Sequence, residues 1–245
     1  MKDTKAELRR TLYLASVIRA ASIASMAEVG NPSAQITIAT VPAGNPGNAP
    51  DVGGVGQVDY AYNIGKYDVT AGQHTAFLNA VAKTDPYGLY TSLFANGFAT
   101  YGITQSGSPG SCKYTATKNP DFLANYVTWG DAAPFCNWLT NGQPTGAQGN
   151  GTTETGSYIL NGAVTDAALG AVTRNANADY GIPAEDEWHK AACCNAASGY
   201  YYTYATSNSN LPSNLLSATG TNNAKFYAGD YTDPTNYLSP VGGVC

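Results

Sequence analysis

Five thiols and one dense acidic run are the places where this sequence could do chemistry. The thiols are Cys112, Cys136, Cys193, Cys194 and Cys245. Thiolates are soft ligands, yet no two of these cysteines form a CxxC pair and no His/Cys grouping has the spacing of a zinc site. An odd number leaves at least one thiol free or paired between molecules if the protein is secreted. Neighbouring Cys193 and Cys194 either close a strained vicinal disulfide or pack at the end of a helix. Glu185, Asp186 and Glu187 form the acidic run. Three carboxylates together could do acid or metal chemistry, but in the first turn of a helix they complement its dipole, which is the simpler reading. His74 is expected as a solvated or core-edge side chain on a helix. No catalytic residue follows.

The other resource is aromatic. The chain holds 18 tyrosines among 245 residues, seven of them in two stretches. Tyr87, Tyr90, Phe94 and Tyr101 lie in a Gly/Ser/Thr-rich segment. Tyr200, Tyr201, Tyr202 and Tyr204 form a compact run. Both are expected to supply a binding surface, because tyrosines flanked by Ser and Asn give broad contacts and adaptable hydrogen bonds. The competing expectation for the first stretch is that its aromatics pack the loop onto the domain.

Charge excludes some functions. Only 12% of residues are charged, about half the roughly 25% of an average soluble domain. Residues 1–30 carry five basic groups, Lys2, Lys5, Arg9, Arg10 and Arg19; the remainder carries seven basic and fourteen acidic groups, a formal −7. An acidic body without a basic stripe does not neutralise phosphates, so nucleic-acid binding is not expected. No run of 18 apolar residues predicts a membrane span. A surface of hydroxyls and amides suits an extracellular or cell-surface protein. Residues 1–30 read as an imperfect signal segment, interrupted by Arg19, or as an amphipathic helix over 4–27. Residues 31–245 form the domain proper.

Stepping along that domain, residues 36–41 and 58–67 alternate as strands, with a loop over 42–56. Thr70 begins a helix, with Gln73 completing a capping box worth about 1 kcal/mol; Ala76, Phe77, Ala80 and Val81 form its buried stripe. Thr128 and Asp131 cap a second helix whose apolar face is Ala132, Ala133, Phe135, Cys136 and Leu139. Pro134 inside it removes one hydrogen bond and introduces a kink, and Asn141–Gly142 ends it. Residues 157–160 and 171–174 read as a strand and its return, with a turn at Asn161–Gly162. A third helix runs from Ala184 to about Cys194, with Trp188, Ala191 and Ala192 on one side and Lys190 on the other. The class is α+β.

Four segments carry a resemblance. "YNIGKYDVTAGQHTAFLNAV", "NYVTWGDAAPFCNWL", "YGIPAEDEWHKAA" and "NAKFYAGDYT…YLSPVG" are similar, in order, to motifs of the formylglycine-generating enzyme family, also called the sulfatase-modifying factor domain. The third resembles the pattern "[RY]-L-P-[TS]-E-A-E-W-E-x-A". The resemblance covers roughly residues 36–243 and is nearest to an exported bacterial branch. It implies a C-type-lectin-like fold of short helices, twisted antiparallel strands and much ordered coil. It also implies, for the family's enzymes, copper-dependent oxidation of a protein cysteine at two cysteines that follow a "G-N-[VA]-W-E-W" motif. That motif is missing, and the domain is expected to be C-terminally incomplete. Cys193 and Cys194 do not match the copper positions, and Cys136 matches a helix cysteine with no catalytic role. Ala184 replaces the expected cap of the third helix.

The family's calcium site places an Asn where this chain has Lys225. Phe226 through its carbonyl, with Asp230, Asp233 and Asn236, is a weaker candidate for the six to eight oxygens that calcium needs. Copper is not expected, calcium is a candidate, and no other cofactor is implied. The resulting expectation is a non-catalytic extracellular or cell-surface protein that binds or assembles. Its partner is itself, as oligomer or filament, another surface protein, or a glycan. The alternatives are a fragment of a copper-dependent formylglycine-generating oxidase and a carbohydrate-binding lectin-like module.

Overall fold

A computed structural model describes residues 18–19, 35–96, 102–214, 220–224 and 240–242. Its elements are short. Strands β1 (Ile18–Arg19), β2 (Thr40–Ala43), β3 (Tyr62–Gly65) and β6 (Tyr180–Gly181) form an antiparallel sheet in the order β2-β3-β1-β6. Strands β4 (Ile103–Ser106) and β5 (Lys113–Ala116) form a separate hairpin. Helices α1 (Ala71–Val81), α2 (Trp129–Thr140), α3 (Asp166–Leu169) and α4 (Glu185–Cys193) complete the set, with a 3-10 helix at Ser92–Asn96. Mixed helices and small antiparallel sheets make the fold α+β. No helix among the described residues is long and apolar enough to cross a membrane.

The first strand differs from expectation by a few residues. β2 starts at Thr40 and includes Pro42, because it is the outer strand of its sheet, where a missing N–H is tolerated. The second expected strand shortens to Tyr62–Gly65. Its lead-in is diverted: the carbonyl of Val58 accepts from Gly47 N–H, and the Val58 N–H donates to the Asn48 side chain. Most of the helix expected over residues 4–27 lies outside the described residues; Ile18 and Arg19 pair as a strand with β3 and β6.

α1 begins as its sequence dictates. The Thr70 hydroxyl accepts from Gln73 N–H at 3.1 Å, and the Gln73 side chain accepts from Thr70 N–H at 2.9 Å. At α2, the Asp131 carboxylate accepts from both the N–H (2.8 Å) and the hydroxyl (2.7 Å) of Thr128. The helix continues through Pro134 as one element. α1 and α2 meet through aromatic rings, with Phe77 edge-on to Phe135 at 5.4 Å and 5.5 Å from Trp138. Each fully buried Phe contributes about 2–3 kcal/mol from water exclusion. β5 lies against α1, where the Asn79 side chain both donates to Tyr114 C=O and accepts from Tyr114 N–H.

His74 is the surprise of this core. It is fully buried rather than solvated or at the edge, because its ring completes an aromatic cluster with Phe77, Phe94 and Phe135. The expected turn at Asn161–Gly162 forms with both residues at positive φ, 51° and 75°. The strand and return around it reduce to one bridge, Tyr158 to Arg174, with α3 between them.

Candidate functional site

A cluster of paired charged and polar side chains lies where α4 meets residues 45–60 and 194–202. α4 buries the face opposite to the one its apolar residues suggest. Trp188 is 45% exposed, while Glu187 and Lys190 are 1% and 2% exposed. The charges can go inside because each is matched. Arg174 meets Glu187 bidentately, Nη1 to Oε2 at 2.9 Å and Nη2 to Oε1 at 2.7 Å. The Tyr60 hydroxyl donates to Oε1 at 2.5 Å and Ala184 N–H to Oε2 at 2.6 Å. That last bond does half of a capping box and offsets the missing cap hydroxyl at Ala184. Burial alone would push the Glu187 carboxyl up, but these donors hold it below its ordinary value.

Lys190 has a different solution. Its ammonium donates to the carbonyls of Asn45 (2.9 Å) and Val58 (3.1 Å) and sits 5.9 Å from the Tyr62 ring centre. Burial pulls its pKa down. The Tyr62 hydroxyl donates to the Glu187 carbonyl at 2.5 Å. Together these bonds fix residues 45–62 to α4.

On this floor stands a half-exposed polar ledge. His189 Nε2 lies 2.9 Å from Asp51 Oδ2, and its ring stacks on Tyr201, centroids 5.3 Å apart and planes at 14°. The Tyr201 hydroxyl donates to Gly56 C=O at 2.7 Å and accepts from the Asn48 amide at 2.6 Å. Burial, then the nearby Cys194 thiol, push that phenol up to about 12. Gly56 N–H donates to Asp186 at 2.7 Å. Gly56 holds φ +90°, and a Cβ there would stand 2.6 Å from the Tyr201 hydroxyl, so this position requires glycine. The run after α4 is a small hairpin: Cys194 bridges Tyr201, Tyr202 N–H donates to Cys193 C=O, and the Asn195 amide donates to the Tyr202 hydroxyl. Tyr200 is left 77% exposed.

The eight aromatic candidates therefore divide. Tyr200, Tyr201, Tyr202 and Tyr204 share one ledge, with Tyr200 its outward member and the other three partly buried. In the first stretch, Phe94 is a correction: it is 1% exposed and packs on His74 and Tyr90. Core burial outcompetes display for an unhydroxylated ring. Tyr90 is partly buried too, its hydroxyl donating to Ile103 C=O at 3.2 Å. Tyr87 is 37% exposed. Tyr101, and the calcium candidates Phe226, Asp230, Asp233 and Asn236, lie outside the described residues, as does Cys245.

The acidic run takes three separate roles. Glu185 is exposed, Asp186 holds Gly56, and Glu187 pairs with Arg174. Cys112, Cys136 and Cys193 are buried free thiols, each on a different segment, and Cys194 is a partly exposed free thiol. Burial pushes the thiols of Cys136 and Cys193 up. No group of three His, Cys, Asp or Glu side chains among the described residues is arranged to hold a metal ion.

The His189–Asp51 pair and the Arg174–Glu187 pair escape sequence reasoning because their partners are far apart in the chain. One signal was available: His189 stands where the motif pattern has its third Glu. The sequence profile of the sulfatase-modifying factor enzyme 1-like domain matches residues 51–244. No curated protein and no solved structure matches the chain.

Proposed function

We propose, for a chain that belongs to the family of the sulfatase-modifying factor enzyme 1-like domain, a non-catalytic role as a binding domain of C-type-lectin-like build. It works outside the cell or at its surface, and it binds through the ledge of Tyr200, Tyr201, Tyr202 and Tyr204. The observation that carries this reading is Tyr200, 77% exposed and followed by two tyrosines whose hydroxyls are hydrogen-bonded to the domain. An aromatic side chain presented from a hydrogen-bonded hairpin loses little conformational freedom on contact.

The floor supports the same role. Glu187, Arg174 and Lys190 are committed to internal bonds, so the chemistry left at the surface is aromatic, amide and hydroxyl, beside the Asp51–His189 pair and the Glu185 carboxylate. The partner that suits a sparsely charged face best is a second copy of this chain, because little like-charge repulsion opposes contact. Light scattering of the full chain tests the reading. Apparent mass should rise with concentration, and Tyr200→Ser should suppress that rise while leaving the circular dichroism unchanged. A wild type that stays one size, or a serine variant that associates equally, overturns it. So does stoichiometric copper(I) binding through a cysteine pair with turnover of a thiol peptide.

A further inference from the structure

We infer that His74 is an acid-sensitive latch holding the 3-10 helix Ser92–Asn96 onto the α1–α2 pair. The imidazole is fully buried. Its ring centre lies 5.5 Å from Phe77, 5.5 Å from Phe94 at 89°, and 5.9 Å from Phe135. Neither ring nitrogen has a hydrogen-bond partner among the described residues. A neutral imidazole tolerates this box as a flat aromatic ring, at the cost of two unmet polar groups. An imidazolium has two N–H donors and a full charge, and nothing here accepts either.

The groups facing it make the point. α1 itself adds Thr75, whose hydroxyl is likewise buried without a partner among the described residues. The 3-10 helix turns Phe94 toward the ring, and α2 turns Phe135. The charged group of α2 is Asp131, one turn before Phe135, and its carboxylate is taken by Thr128. The β4–β5 hairpin contributes Tyr114, whose hydroxyl donates to Ala82 C=O, and the exposed Lys113. Burial is the one influence on the ring's titration, and it lowers the pKa to about 4. Because the folded value lies below the unfolded 6.5, the closed state is favoured above pH 6.5 and loses ground as pH falls toward 4.

The 3-10 helix is a single short element of five residues. It packs on β4, with Gly102 against the Phe94 backbone, and its ring contacts are those of Phe94 with His74 and Tyr90. α1 and α2 keep the separate Phe77–Phe135 and Phe77–Trp138 contacts. Acid therefore releases residues 92–96 and uncovers Phe94 while the helix pair holds. This inference does not depend on the tyrosine ledge.

Hydrogen exchange of the full chain, corrected for the intrinsic pH dependence of exchange, tests it. Opening of residues 92–96 should increase about twentyfold between pH 7 and pH 5, as a single group titrating from about 4 to 6.5 requires. His74→Leu, with His74→Phe as a second variant, should abolish the increase. An NMR titration of the wild-type His74 ring should show a midpoint below pH 5, whether or not the variants fold. No acid-dependent opening in the wild type, an equal increase in a folded variant, or a midpoint near 6.5 overturns the latch.

Discussion

Two tyrosine-rich stretches of similar composition meet opposite fates. Around residues 90–94 the rings turn inward: Phe94 is in the core, and Tyr90 lies edge-on to Phe94 and tilted against Tyr114. Around residues 200–204 the hydroxyls find polar partners at the rim, and Tyr200 stays outside. What separates them is the surface each lands on. The first meets the apolar side of α1 and α2, where rings are worth most when buried. The second meets a floor of paired charges and carbonyls, which rewards hydroxyls and leaves a ring free. Composition alone therefore does not mark a binding surface.

The largest effect should come from the inward stretch. Phe94→Ala should cost about 3–5 kcal/mol in denaturant unfolding, as large-to-small changes of buried rings do. A cost below about 1 kcal/mol would mean that this stretch is as peripheral as the other. Next comes the floor of the ledge. Glu187→Ala leaves the Arg174 guanidinium half-buried without its carboxylate, and a loss of about 3 kcal/mol is expected. Gly56→Ala combines a positive φ with a clash under Tyr201, for about 2 kcal/mol. The clash should also break the His189–Tyr201 stack, which the His189 ring shifts in NMR would report.

Acid acts on two buried carboxylates in opposite directions, which sharpens the comparison. Glu187 lies below its ordinary value, so its contribution is present at neutral pH and is lost as pH falls through its folded pKa. Asp131 is raised to about 6, by burial against the opposing Thr128 bonds. Its contribution is full below 3.8 and is lost as pH rises through about 6. Unfolding of Glu187→Gln and Asp131→Asn across this range should show the glutamine variant's deficit shrinking in acid, and the asparagine variant gaining on the wild type as pH rises from about 3.8 to about 6 and levelling off above that.

Much of this was legible locally. The Thr70–Gln73 box and the Thr128–Asp131 pair both cap helices, because capping is settled within four residues. α4 also begins within a residue of its expected start. Its buried face was not legible: Trp188 reads as core and Lys190 as surface until Arg174, Asn45 and Val58 arrive from elsewhere. His74 fails for the same reason, since two of its three aromatic neighbours, Phe94 and Phe135, are distant in sequence. Long-range pairing decides which polar groups can be afforded inside, and short-range pattern does not contain it.

The most direct test of the binding account is tyrosine footprinting of the full chain over a range of concentrations. Tyr200 should become protected as the protein associates, while Tyr87 keeps the same reactivity throughout. Protection of Tyr87 with Tyr200 unchanged, or of neither, would contradict it.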